Sequence, residues 1–135
     1  MINNAQFHHV GMAVHSIDAA AMDFEALGYE VTSKVEVTSQ KAWAAYATKK
    51  GSPTIELLEP SAENSPVQKV LARGGAQPYH ICYVVPCIPE ALAELKKQKF
   101  MPLTRPFNGE GVDNATTVFI FKKSVGVIQL VESNK

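Results

Sequence analysis

Two stretches of the chain carry the same succession of apolar and polar positions. Phe7-His-His-Val-Gly-Met-Ala-Val14 is an apolar run broken by histidines, and beyond Ser16 the residues Ile17, Ala20, Phe24 and Leu27 recur at helical spacing. The succession returns in Pro78-Tyr-His-Ile-Cys-Tyr-Val-Val85, followed by Ile88, Leu92 and Leu95 at the same kind of spacing. Each predicts a strand leading into a helix whose apolar face packs on a sheet. Ser16 is placed to cap the first helix, Gly28 to end it, and Lys96-Lys97 to face the negative end of the second.

The halves also end alike, in Thr54-Ile-Glu-Leu-Leu-Glu59 and Val127-Ile-Gln-Leu-Val-Glu132. Between these landmarks lie β-branched and aromatic runs, Glu30 to Thr38 and Ala42 to Thr48 in the first half, Met101 to Arg105 and Thr116 to Lys123 in the second. Gly51-Ser-Pro53 and Ser124-Val-Gly126 supply the last hairpin of each. The expectation is an α+β fold of two tandem βαβββ modules in a curved mixed sheet around a cavity. The modules span about 5–60 and about 76–133, with a linking helix at about 63–75 that has Pro66 at its start and Gly74-Gly75 at its end. No flexible linker intervenes, so a single domain is expected.

Charge narrows the partners. Lys plus Arg and Asp plus Glu both total 13, giving a net charge of zero. A balanced surface offers no electrostatic footprint for nucleic acid or an anionic membrane, and neither partner is expected. The start, MINNAQFHHVGMAV, has neither the basic residues nor the long apolar run of a secretory signal, so the cytoplasm is the expected location. Cys82 and Cys87 read as buried or edge thiols, too few for a disulfide framework or a zinc cage.

Candidate chemistry follows from alternation along the strands. His9, Gly11 and Ala13 point one way, and Val10, Met12 and Val14 point toward the helix. His80 likewise faces away from Ile81, Tyr83 and Val85. From 9 to 80 is 71 residues, and from Glu56 to Gln129 is 73, so two ligand-type side chains recur at matching places in each half. Any one of them alone reads as an ordinary core residue. Four at equivalent positions point to a shared site for a divalent ion such as Zn, Co, Ni, Mn or Fe(II). His8 faces the other way from His9 and His15 sits at the strand end, and both read as structural.

The strand from His9, the run Ile55-Glu-Leu-Leu-Glu-Pro60, the link Ser65-Pro-Val-Gln-Lys-Val-Leu-Ala-Arg-Gly74, the His80-Ile strand and Gly126-Val-Ile-Gln-Leu-Val-Glu132 resemble the methylmalonyl-CoA epimerase family. That family lies within the vicinal-oxygen-chelate (glyoxalase/bleomycin resistance/dioxygenase) superfamily. The resemblance implies His9, Glu56, His80 and Gln129 as metal ligands, and a metal-dependent isomerase that moves a proton through a metal-stabilised enolate. Glu56, the one acid of the four, is the implied base. It also implies a small-molecule substrate of the acyl-CoA class and a homodimer, which exposed sheet edges favour too.

The family pattern has Gln where this chain has Glu56 and Glu where it has Gln129, so the carboxylate and amide are exchanged between the halves. An acid expected before Trp43 is absent, with Ser39 or Gln40 in its place. Two alternatives therefore stand beside the isomerase: a glyoxalase I-type lyase, and a non-catalytic binder like the bleomycin-resistance proteins. Trp43 or its neighbours Ala44 and Tyr46, with Phe119 and Phe121, are expected to line the cavity. Lys69, Arg73, Lys122 and Lys123 are either contacts for CoA phosphates or solvated charge.

Overall fold

A computed structural model describes residues 1–133. The architecture is α+β. Its elements run β1 (Gln6–Ala13), α1 (Ile17–Ala26), β2 (Glu30–Val31), β3 (Val35–Val37), β4 (Ala42–Thr48), β5 (Ile55–Pro60), α2 (Pro66–Ala72), β6 (Gln77–Val85), α3 (Ile88–Lys97), β7 (Met101–Pro102), β8 (Phe107–Gly109), β9 (Ala115–Lys122) and β10 (Gly126–Glu132). Short 3-10 turns at Thr38–Gln40 and Glu110–Val112 precede β4 and β9. Among the described residues no helix is long and apolar enough to cross a membrane.

The chain divides into two compact units, His9–Tyr79 on one hand and Met1–His8 with the chain from His80 onward on the other. The first eight residues group with the second half. Ile2 packs against the cluster of Val85, Ile88, Val118, Ile120 and Leu130, and the N-terminal ammonium lies 3.2 Å from Glu94 Oε2. No periodicity over so short a segment could have announced that docking.

In the His9–Tyr79 unit β1 pairs in parallel with β5, which pairs antiparallel with β4, and β4 carries both β2 and β3 on its far edge. Met12, Val14, Ile55, Leu57 and Ala45 pack against Ile17, Ala20 and Phe24 of α1. Ala13, Ala42, Ala44 and Leu58, on the opposite face, pack against Val67 and Leu71 of α2. The C-terminal unit repeats the plan. β6 pairs in parallel with β10, β10 antiparallel with β9, and β9 with β7 and β8.

Both helices that follow the first strand of each half start in the same way. The backbone N–H of Ile17 donates to Glu59 Oε1 at 2.7 Å, and that of Ile88 donates to Glu132 Oε2 at 2.8 Å. A carboxylate from the closing strand thus satisfies an orphan donor at the positive helix end. Ser16 Oγ adds a cap by accepting from Ala19 N at 3.1 Å.

The second strand predicted for the first half is broken into β2 and β3, and in the second half only β7 falls within Met101–Arg105, with β8 beyond it. Where β2 ends, Thr32 Oγ1 accepts from Tyr46 N at 2.9 Å; where β7 ends, Thr104 Oγ1 accepts from Phe119 N at 3.1 Å. A threonine hydroxyl replaces the ladder carbonyl at both places, so the strand can turn away without leaving a donor unpaired.

Candidate functional site

Register places the candidate residues with little freedom. In the His9–Tyr79 unit Glu56 lies between Gly11 of β1 and Tyr46 of β4; in the C-terminal unit Gln129 lies between Cys82 of β6 and Phe119 of β9. His9 and His80 precede Gly11 and Cys82 by two residues, and so share their faces. All four side chains are buried, with His9 0%, Glu56 4%, His80 2% and Gln129 5% exposed.

His9 Nε2 and Glu56 Oε1 are 3.0 Å apart. That is the separation of two donor atoms each about 2.1 Å from an ion at roughly a right angle, so the pair suits a common divalent ion. Tyr46 meets the His9 ring edge to face, with centroids 5.6 Å apart. Burial, with the Glu56 carboxylate adding, pushes the Tyr79 phenol well above the ordinary tyrosine range, so it keeps its proton.

In the C-terminal unit Phe119 meets the His80 ring at 5.4 Å and stacks on Phe107 at 6.1 Å. Gln129 Nε2 donates to Thr117 Oγ1 at 3.0 Å, and Thr117 Oγ1 donates its own proton to the Leu130 carbonyl at 2.7 Å. The hydroxyl can therefore only accept from Gln129, which fixes the amide nitrogen on the Thr117 side. Gln129 Oε1 is left buried with no hydrogen-bond partner among the described residues. A buried amide oxygen without a donor has the character of a ligand atom. The residue matching Thr117 in the other unit is Ala44, by its register with Leu58 where Thr117 pairs with Val131. A carboxylate has two equivalent oxygens and needs no such orientation.

Other predicted positions fall elsewhere. Trp43 is not on the Glu56 face: it packs on the α1 side, under the Lys34 ammonium at 5.5 Å, because odd-numbered residues of β4 face that helix. Ala44 and Tyr46 face the other way. Lys122 is engaged locally, donating to Gln98 O at 2.7 Å and lying over the Phe100 ring. Cys82 is buried and Cys87 half-buried, while His8 and His15 are exposed. Thr117 and Tyr79 escaped the sequence reading, although a hydroxyl at the head of the apolar run Val118-Phe-Ile-Phe121 was a usable signal.

Comparison with known proteins comes to the same fold. The family model of the glyoxalase/bleomycin resistance protein/dioxygenase superfamily matches residues 8–119. The uncharacterized Bacillus subtilis protein YqjC is 33% identical over 113 residues, 83% of this chain and 79% of that protein. Human mitochondrial methylmalonyl-CoA epimerase is 29% identical over 132 residues, 96% of this chain and 73% of its own length. Among solved structures, a substituted Streptomyces coelicolor methylmalonyl-CoA epimerase in complex with 2-nitronate-propionyl-CoA superposes with a TM-score of 0.82 at 26% identity, covering 96% of this chain and 98% of that one.

Proposed function

The chain belongs to the glyoxalase/bleomycin resistance protein/dioxygenase superfamily, and from that premise we propose that His9, Glu56, His80 and Gln129 hold one divalent metal ion in an isomerase of acyl-CoA substrates. The observation that carries the reading is the repetition of a buried imidazole and a buried oxygen donor at equal register in the two units, each imidazole backed by an aromatic ring. The donor set, two imidazoles with one carboxylate and one amide oxygen, suits Zn, Co, Ni, Mn or Fe(II).

When bound, such an ion supplies Lewis acidity that favours the negative charge developing as a carbon acid ionises. Proton movement falls to the chain. Glu56 takes the proton α to the thioester carbonyl, since an amide at Gln129 cannot. Thr117 holds the Gln129 oxygen turned away from its own hydroxyl, and Tyr46 and Phe119 keep the imidazoles in apolar surroundings. The acyl-CoA class is supported by the relatives named methylmalonyl-CoA epimerase.

The test is metal content of protein purified without added metal, followed by proton–deuterium exchange at the α-carbon of a panel of acyl-CoAs that includes methylmalonyl-CoA. Stoichiometric metal with deuterium uptake is expected. Metal-free protein that exchanges no proton would overturn the reading. A ligand-binding member of the superfamily is the second reading, favoured by the lack of a carboxylate in the turn Thr38–Gln40.

A further inference from the structure

The helices α1 and α3 begin alike, with the N–H of Ile17 and of Ile88 each donating to a glutamate, but a matching position further along differs in size. Seven residues on from these starts stand Phe24 and Leu95, and five beyond those stand Tyr29 and Phe100. In the His9–Tyr79 unit the Phe24 and Tyr29 rings meet edge to face at 5.3 Å. In the C-terminal unit the first ring is replaced by a smaller aliphatic side chain, and the space beside Leu95 and Phe100 is open.

That space is an apolar groove between α3 and the sheet. Its floor is a cross-strand row, Ile81 of β6, Ile128 of β10 and Ile120 of β9, on the face turned away from His80 and Gln129. The groove has a volume of about 290 Å³, and a second of about 200 Å³ shares Leu95, Phe100 and Ile120 with it. At its rim Ile81 is 37% and Val125 54% exposed. A concave apolar surface left facing water favours a hydrocarbon occupant.

The end near Phe100 is cationic. Lys96 lines the smaller groove, and Lys122 Nζ lies 5.5 Å from the centre of the Phe100 ring while donating one proton to Gln98 O at 2.7 Å. That ammonium carries two further donors. Among the described residues no acid lines either groove. Lys96, Lys97 and Lys99, at the end of α3 and just beyond it, outweigh the partial negative charge of the helix terminus.

We propose that this groove binds a fatty-acid anion, its chain along the Ile81, Ile128 and Ile120 row and its carboxylate at Lys122. The apolar walls select the chain, and a cation at one end alone sets its direction. The site lies within the C-terminal unit and stands independently of the isomerase reading.

The experiment titrates octanoate, decanoate and dodecanoate calorimetrically into the full chain, each below its micelle concentration, with decanol as the uncharged probe. Affinity is expected to rise about fourfold for each methylene buried, and decanoate to bind more tightly than decanol. Leu95→Phe supplies the ring found at Phe24; it is expected to stay folded, by unfolding temperature, and to weaken decanoate at least tenfold. Lys122→Met keeps the apolar stem and is expected to weaken decanoate about fivefold while leaving decanol unchanged. Affinity independent of chain length, equal binding of decanoate and decanol to wild type, or a folded Leu95→Phe that binds as wild type would each overturn the site. Absence of binding would overturn it too, and a dimeric mass by light scattering would then give the groove to a second copy.

Discussion

Gln129 donates its amide N–H to Thr117 at 3.0 Å, and this one bond fixes which atom of the buried amide, the oxygen, faces away from the threonine. Thr117→Val keeps the shape and removes the acceptor. The amide is then free to rotate, and metal affinity is expected to fall about 10- to 100-fold, as for other residues that orient ligands. Competition with a chelator measures it. Unchanged affinity would mean that Gln129 is not a ligand.

Metal retention should separate the histidines. His9→Ala and His80→Ala are each expected to lose stoichiometric metal, whereas His8→Ala, at an exposed position, retains it. Elemental analysis of the three proteins after identical purification gives the answer, and equal retention in all three would count against the site.

Gly109→Ala tests the packing of the turn Glu110–Val112. The added methyl meets Val112 at 2.5 Å and Thr117 at 2.9 Å, so the turn must shift. A loss of about 1–3 kcal/mol in urea unfolding is expected, as for overpacked cores. Wild-type stability would show that the turn has more room than its packing indicates.

Tyr79 makes an alkaline prediction. Burial chiefly, and the Glu56 carboxylate further, hold its phenol above the ordinary tyrosine value of about 10. The stability it contributes is fully present below the unfolded pKa and is lost as pH rises beyond it, by up to about 1.4 kcal/mol per pH unit. Tyr79→Phe should lose less stability than wild type between pH 9 and 11, a window set by the unfolded value near 10. Parallel pH profiles of the two proteins would contradict the shift.

Much of this architecture was legible because it is written twice. The strand-helix pairs from Phe7 and Pro78, the closing strands around Glu56 and Gln129, and the cap at Ser16 all rest on local periodicity and local hydrogen bonding, which a sequence displays. What stayed hidden depends on pairing across the chain. That Glu59 and Glu132 cap helices 42 and 44 residues away is a consequence of register, as is the threonine that interrupts each second strand. The facing of Trp43 needed the strand pairing too, since aromatic character suits either side of a sheet. That the turns before β4 and β9 correspond emerged only once β3 and β8 were aligned through their partners.

The central claim is tested most directly by α-proton exchange in Glu56→Gln beside wild type, with methylmalonyl-CoA in deuterated water and metal content measured on the same samples. The account predicts a folded protein that still binds metal and exchanges protons roughly 10²- to 10⁴-fold more slowly, the usual contribution of a general base. Exchange at the wild-type rate in a metal-loaded Glu56→Gln protein would contradict it.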